Sequence, residues 1–396
     1  MKYPQLLITI CCMILMGSCE SLIPPAPEES ELLDGPMTEL TPAQNRQFLA
    51  GDIAFNDEVF TALNGLGPLF VATSCGSCHA GDGKGHPFTT LTRFGQTAPD
   101  TPHQSPGAPQ LQHRALPGFE PERIPEGTPY MNFTPPAVTG LGLLSAITDA
   151  QILDNADPDD LDNDGISGVP NYVSPPPYFE QQWFHSPLNG KIIGRFGKKA
   201  AAVDLLHQTV SAYNQDMGIT STFEPTDTYT GLTLDPEVSD KTVRDVVFYL
   251  RTLKAPIPRN AQESIITSGR KIFENINCSG CHIPEWKTPS SDIEALSNKL
   301  FYPYTDLLLH DMGPELDDGV TEGSAETYEW RTPPLWGLGL SPNSQGGQYF
   351  LMHDGRAKSI AEAINMHGGE AEQSKLAFQA LAESDQEALL KFLESL

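Results

Sequence analysis

Basic side chains are scarce in this sequence: 24 Lys and Arg stand against 51 Asp and Glu, a formal net charge of −27. That balance leaves no phosphate-binding surface, so no nucleic-acid partner is expected. It suits a basic partner protein drawn in by opposite charge. Long apolar runs are scarce too. The one stretch that qualifies, residues 6–16 behind Lys2, is too short to span a bilayer. Thiols are few: of 7 Cys, Cys11 and Cys12 fall inside that stretch and Cys19 just after it, which leaves four for the rest of the chain. What is plentiful is Pro (35) and Gly (34), which point to many ordered loops, and 396 residues give room for two cores.

The start of the chain reads as a targeting segment. Lys2, the apolar run and Leu15-Met16-Gly17-Ser18-Cys19 resemble a bacterial lipoprotein signal over residues 1–18, with Cys19 as the lipidated residue. An ordinary secretory peptide is the alternative, and both export the chain. The expected location is the cell envelope, facing the periplasm or exterior, with membrane contact only through lipid at Cys19. Residues 19–42 are rich in Pro and Glu and read as a tether.

Two pentads carry the chemistry: Cys75-Gly76-Ser77-Cys78-His79 and Cys278-Ser279-Gly280-Cys281-His282. In C-x-x-C-H the two thiols form thioethers to a porphyrin, and the His falls beneath the ring as proximal iron ligand. A single copy could be a redox dithiol. Two copies in an exported chain imply two haem c groups, with His79 and His282 on the two irons. Cys75, Cys78, Cys278 and Cys281 are then all committed, and no thiol remains for a disulfide.

A second repeat supports a duplication. Thr134-Pro135-Pro136-Ala137-Val138-Thr139-Gly140-Leu141-Gly142 is echoed by Thr332-Pro333-Pro334-Leu335-Trp336-Gly337-Leu338-Gly339, each at a similar distance after its pentad. Pro-Pro fixes an extended segment, which suits a strap against a haem edge. Phe70 and Phe273 each precede their pentad by five residues, a spacing that fits either an aromatic packed on each haem or two unrelated core phenylalanines. Helical periodicity covers 199–216 and 240–253, through Val243, Val246, Val247 and Leu250, and a terminal helix covers 374–396. Pro256 and Pro258 mark a boundary. The expected fold is mainly α: two cytochrome-c-like haem domains with long ordered loops, over residues 43–255 and 256–396. Asp160, Asp162 and Asp164 have the spacing of a Ca2+ loop, but Asn171 stands where a bidentate Glu is usual. A calcium site and an acidic surface turn both remain open.

Gly194-Arg195-Phe196-Gly197, the Thr332-Pro333-Pro334-Leu335 strap, His353-Asp354-Gly355-Arg356 and Met366-His367-Gly368-Gly369-Glu370, with residues 157–168 and 302–313, together resemble the bacterial di-haem oxidoreductase family, often labelled peroxidase or thiol oxidoreductase. The second half is more distantly similar to the C-terminal half of bacterial di-haem cytochrome c peroxidases. There the distal ligand of the electron-transfer haem follows the His of H-D-G by about fourteen residues. That count implies His367 as distal ligand of the second haem, with Met366 as the alternative. His310 and Met312 fall in a loop near the haem edge, and His353 belongs to the turn.

For the first haem, His86, His103, His113, His185 and Met131 are candidate ligands, and an open sixth position is equally consistent. The family usually carries Glu where this chain has Ser145, a poor proton donor for peroxide chemistry. Trp330 and Trp336 fit either an electron relay or core packing. Arg195, Arg331 and Arg356 are candidates for haem propionates, because guanidinium pairs carboxylate bidentately.

The resulting expectation is an exported, lipid-anchored di-haem c-type cytochrome oxidoreductase. It would pass electrons from a small donor protein, of cytochrome c or cupredoxin type, with peroxidase-type reduction at the N-terminal haem. No catalytic side chain stands out. The alternatives are a non-catalytic di-haem carrier and, on the family label alone, a thiol oxidase.

Overall fold

Thr41 opens the first helix, α1 (Pro42–Asp52), through a capping box: its hydroxyl accepts from Gln44 N–H while Gln44 Oε1 accepts from Thr41 N–H. The computed structural model describes residues 27–101 and 109–396. The leader, Cys19 and His103 lie outside the described residues. Nine further helices follow among the described residues: α2 (Leu141–Ser145), α3 (Asp149–Leu153), α4 (Leu205–Ser211), α5 (Asp240–Thr252), α6 (Ser264–Asn275), α7 (Ser341–Ser344), α8 (Ile360–Asn365), α9 (Glu372–Ala380) and α10 (Glu383–Ser395). No helix among the described residues is long and apolar enough to cross a membrane.

Two helix pairs build the frame. Helix α5 turns Val243, Val246, Tyr249 and Leu250 inward as an apolar stripe and packs on α1. Helix α10 packs on α6 in the same way. The register repeats residue for residue. A methyl group on Gly51 would collide with Asp245 O, and one on Gly269 would collide with Ala388 O. Four residues beyond each glycine, Phe55 packs on Tyr249 (ring centroids 5.4 Å) and Phe273 on Phe392 (5.5 Å). Gly142 seats its strap against Arg251 O, as Gly339 does against Glu394 O. Both straps turn at a left-handed glycine, Gly140 at φ 69° and Gly337 at φ 70°. The duplication expected from the sequence is thus present as one set of contacts made twice.

The same register corrects one pairing. The counterpart of Phe273 is Phe55, not Phe70. Phe55 lies 5.8 Å from the His79 ring, and Phe273 lies 6.4 Å from that of His282. The N-terminal half carries an insertion between its first helix and its pentad. Phe70 belongs to that insertion, in the strand β1 (Leu69–Phe70), and packs with Phe60, Tyr213 and Met217.

The remaining strands are β2 (Leu91–Phe94), β3 (Arg114–Ala115), β4 (Tyr130–Phe133), β5 (Tyr172–Val173), β6 (Ile192–Ile193), β7 (Trp286–Lys287), β8 (Leu300–Phe301), β9 (Leu309–Asp311) and β10 (Glu329–Arg331). They form five two-stranded antiparallel pairs that pin loops, such as β2 on β4 and β9 on β10. Helix accounts for 33% of the chain and strand for 10%, so the architecture is mixed and loop-rich instead of mainly α. Abundant Pro and Gly keep the helices short. Helical periodicity over 199–216 yields only α4 and a π turn (Ala212–Asp216), and the terminal stretch divides into α9 and α10.

Two further expectations change. The later part of the 19–42 stretch is docked, not a tether: Leu33 is buried, Met37 N–H donates to Thr252 O, and Lys254 N–H donates to Gly35 O. Its apolar anchors outweigh the Pro/Glu composition. The largest core cluster also joins side chains from both sides of residue 256, Phe48 and Tyr249 with Trp286, Phe301 and Trp336. The two halves therefore share a core.

Candidate haem sites

Each pentad folds as a tight helical turn. Cys75 O accepts from Cys78 N–H and His79 N–H, both at 3.0 Å, and Cys278 O accepts from His282 N–H at 3.0 Å. None of the four cysteines is in a disulfide. Burial pushes the thiols up, Cys75 and Cys278 to about 12 and Cys78 to about 11. A redox C-x-x-C needs the opposite shift, toward a thiolate at neutral pH. The dithiol reading therefore has no support in this environment.

One continuous cavity of about 490 Å3 reaches from the first pentad to the second. Its wall is largely apolar and includes both straps, Pro135 and Pro136 on one side and Thr332 to Pro334 on the other. Three histidines on this wall share one hydrogen-bond pattern. His79 Nδ1 lies 2.9 Å from Pro136 O, His282 Nδ1 lies 3.0 Å from Tyr304 O, and His367 Nδ1 lies 2.8 Å from Ala363 O. A carbonyl oxygen only accepts, so Nδ1 must donate and Nε2 keeps its lone pair, as an iron ligand requires. Burial also holds His79 and His282 neutral, their pKa lowered to about 4. His367 is lowered by burial as well. It lies at the end of α8, close enough for the His282 imidazole to feel its charge. Met366 is absent from the cavity wall and packs into the core beneath α8.

Two other histidines on the wall, His310 and His353, are otherwise engaged. His310 has both ring nitrogens in use, Nε2 on Asp306 Oδ2 (2.7 Å) and Nδ1 on Glu370 Oε2 (2.6 Å), and it stands 3.5 Å from Cys281 Sγ. Two carboxylate acceptors demand two N–H donors, so His310 is an imidazolium. Burial opposes that charge, and Asp306 overcomes it, with help from Cys281 and Glu370, so its pKa is well above the ordinary histidine value. His353 donates Nε2–H to Asp318 (2.9 Å) and lies flat on Trp330, with centroids 3.8 Å apart. Lys199 Nζ covers the Trp330 ring at 4.1 Å while donating to three backbone carbonyls. Trp336 packs on Phe301 and against Gly140 of the first strap.

The candidate ligands for the first haem fall elsewhere. His86 packs on Phe88 and Phe350, His113 is exposed, and His185 packs between Phe179 and Phe184. Met131 is fully buried with Phe133 and Trp330, away from the cavity wall. Helix α2 gives the wall Leu141 and Leu144, not Ser145. A histidine that the sequence did not single out is on the wall instead: His207 of α4.

The propionate candidates also redistribute. Arg195 is buried in an ion pair with Asp149 (2.7 Å) and donates to Ile147 O, and Arg356 pairs with Asp354 (2.7 Å) away from the cavity wall. The charge of each is met by a carboxylate, although Arg195 lines the cavity and its buried Nε has no partner among the described residues. Arg331 faces the cavity, bonded only to the backbone carbonyls of Gly197 and Thr332. Lys84 and Lys198 join it on the wall. Lys198 feels both other cations, and burial lowers all three, Lys84 to about 8, Arg331 to about 10 and Lys198 further below its usual value. None of the three forms an ion pair among the described residues. Asp354 acts on both lysines and Asp306 on Arg331, but only from a distance, and interior cations without a direct partner are costly. They fit the carboxylates of haem, as the apolar wall fits its ring and the free Nε2 atoms fit its iron.

Asp157, Asp160 and Asp162 bring carboxylate oxygens within 4.8 Å of one another, but the rest of the calcium loop does not follow. Asn171, at the expected twelfth position, donates its amide to Lys199 O and Glu322 O and accepts from Ser324. Asp160, Asp162 and Asp164 use carboxylate oxygens to accept backbone N–H groups of their own loop. The acidic surface turn is the better description.

Residues 131–396 match the family described as "Di-haem oxidoreductase, putative peroxidase". The matched span holds the second pentad, and the first lies ahead of it. Among solved structures, the chain is similar to Kuenenia stuttgartiensis hydrazine synthase pressurised with 20 bar xenon, at 15% identity over 94% of this chain and 98% of that one, with a TM-score of 0.40. It is also similar to a MauG-like protein associated with microbial copper homeostasis, at 14% identity over 94% of each chain, with a TM-score of 0.43. No curated protein matches. Matched over more than half its length, the chain belongs to the di-haem oxidoreductase family.

Proposed function

We propose that this protein is an exported, lipid-anchored di-haem c-type oxidoreductase with a division of labour between its halves. The haem groups, once attached, supply one-electron iron chemistry. His282 and His367 would hold the second haem iron, an arrangement suited to accepting electrons from a small cytochrome c or cupredoxin. His79 would be the one protein ligand of the first haem iron, and the remaining position would be available to a substrate, hydrogen peroxide. Peroxide with two protons and two electrons from the reduced donor gives two waters.

The observation that carries this reading is the count of carbonyl-locked histidines on the cavity wall. There are three among the described residues, one for the first pentad and two for the second. The test is carbon monoxide binding to the fully reduced protein, followed by its visible spectrum. One equivalent bound per chain supports the reading, and none bound removes it. One feature favours a non-catalytic carrier instead: Ser145, at the usual Glu position, contributes nothing to the cavity wall. Peroxide turnover with a reduced donor separates the two.

A further inference from the structure

His207 differs from the three iron-binding histidines in one respect that matters for chemistry. Its Nδ1 accepts a hydrogen bond, from Val203 N–H at 3.4 Å, where theirs donate. The proton of the neutral ring is therefore on Nε2. A nitrogen that carries its proton cannot ligate iron but can donate to something bound there. The residue is fixed for this purpose: Asp204 caps α4 by accepting from His207 N–H at 2.7 Å, and the π turn Ala212–Asp216 continues the helix along the wall.

The surroundings match. Arg93, on strand β2, faces the same cavity and acts electrostatically on both His207 and Asp216. Its Nε lies 3.3 Å from Glu322. Asp216 lines the first-pentad end of the cavity, where Cys75 and Cys78 feel its charge. Burial, with Arg93, keeps His207 neutral, so the donor tautomer persists at physiological pH. The Nε2–H makes no hydrogen bond to protein among the described residues.

We propose that His207 is the hydrogen-bond donor to peroxide held at the open face of the first haem, with Arg93 stabilising the charge that develops on the bound oxygen. This takes over the role left vacant by Ser145 and rests on the open-face reading above. A preorganised donor and cation in a water-poor site act where charge develops.

The test uses the full di-haem protein and two probes, carbon monoxide on the reduced form and cyanide on the oxidised form. His207→Leu removes the donor, and His207→Gln keeps one. Haem content and thermal midpoint show whether each variant is folded. The expected result is a higher C–O stretching frequency in His207→Leu, cyanide binding weakened by about tenfold or more, and both largely restored in His207→Gln. Unchanged frequency and affinity in a folded, fully loaded His207→Leu overturn the assignment of His207 alone. Failure of the unmodified protein to bind either probe overturns the open-face reading itself.

Discussion

His367 directs Nδ1 at the carbonyl oxygen of Ala363, 2.8 Å away and one turn earlier in the same helical segment. A single local hydrogen bond thus sets the tautomer and leaves Nε2 with a free lone pair. The first prediction follows. His367→Ala opens the second iron, and carbon monoxide binding to the reduced protein rises from one to two equivalents per chain. The Soret band of the oxidised protein gains a high-spin component. Met366 does not substitute, because it is packed under α8 and off the cavity wall.

The helix crossings give a second prediction. Gly51→Ala and Gly269→Ala each force a methyl group into the backbone of the partner helix, at Asp245 and Ala388. Each is expected to cost about 1–3 kcal/mol by overpacking. Denaturant unfolding of the holo-protein measures this, and the two costs should be alike because the contacts are alike.

Lys198 supplies a third. A cation beside haem favours its reduced form, since reduction lowers the positive charge on iron. Lys198→Met is expected to lower the midpoint potential of the haem whose propionates it faces, as read by spectroelectrochemistry. The unloaded chain should respond the other way and gain stability, because one of three mutually repelling cations is removed.

His310 makes stability depend on pH. Its folded pKa lies well above 6.5, so the folded state retains a proton that the unfolded state gives up. That contribution is complete below about pH 6.5 and is lost as the pH rises through the folded value. The thermal midpoint of the holo-protein should therefore fall on the alkaline side. His310→Gln should flatten that decline and lower stability near pH 6 by on the order of 3 kcal/mol.

Much of the site was legible from sequence because its determinants are local. C-x-x-C-H fixes attachment within five residues, and the T-P-P straps declare a duplication whose left-handed glycines carry it into three dimensions. Phe55 was hidden because an insertion separates it from its pentad, so fixed spacing pointed to Phe70. Arg195 does line the cavity, but its ion pair with Asp149 was hidden because that partner lies far away in sequence. Lys84 and Lys198 gave one usable signal, two positive charges in Gly-rich segments of a very acidic chain. His207 gave none, because its role depends on which ring nitrogen accepts from Val203.

Lys84, Lys198 and Arg331 on the cavity wall have one more consequence when set against a net charge of −27. They are a local concentration of positive charge inside a strongly acidic molecule. A negative outer field disfavours the approach of an anionic oxidant such as superoxide. Hydrogen peroxide is neutral and meets no such barrier. Under the peroxidase reading proposed above, selection among oxidants would begin at the surface.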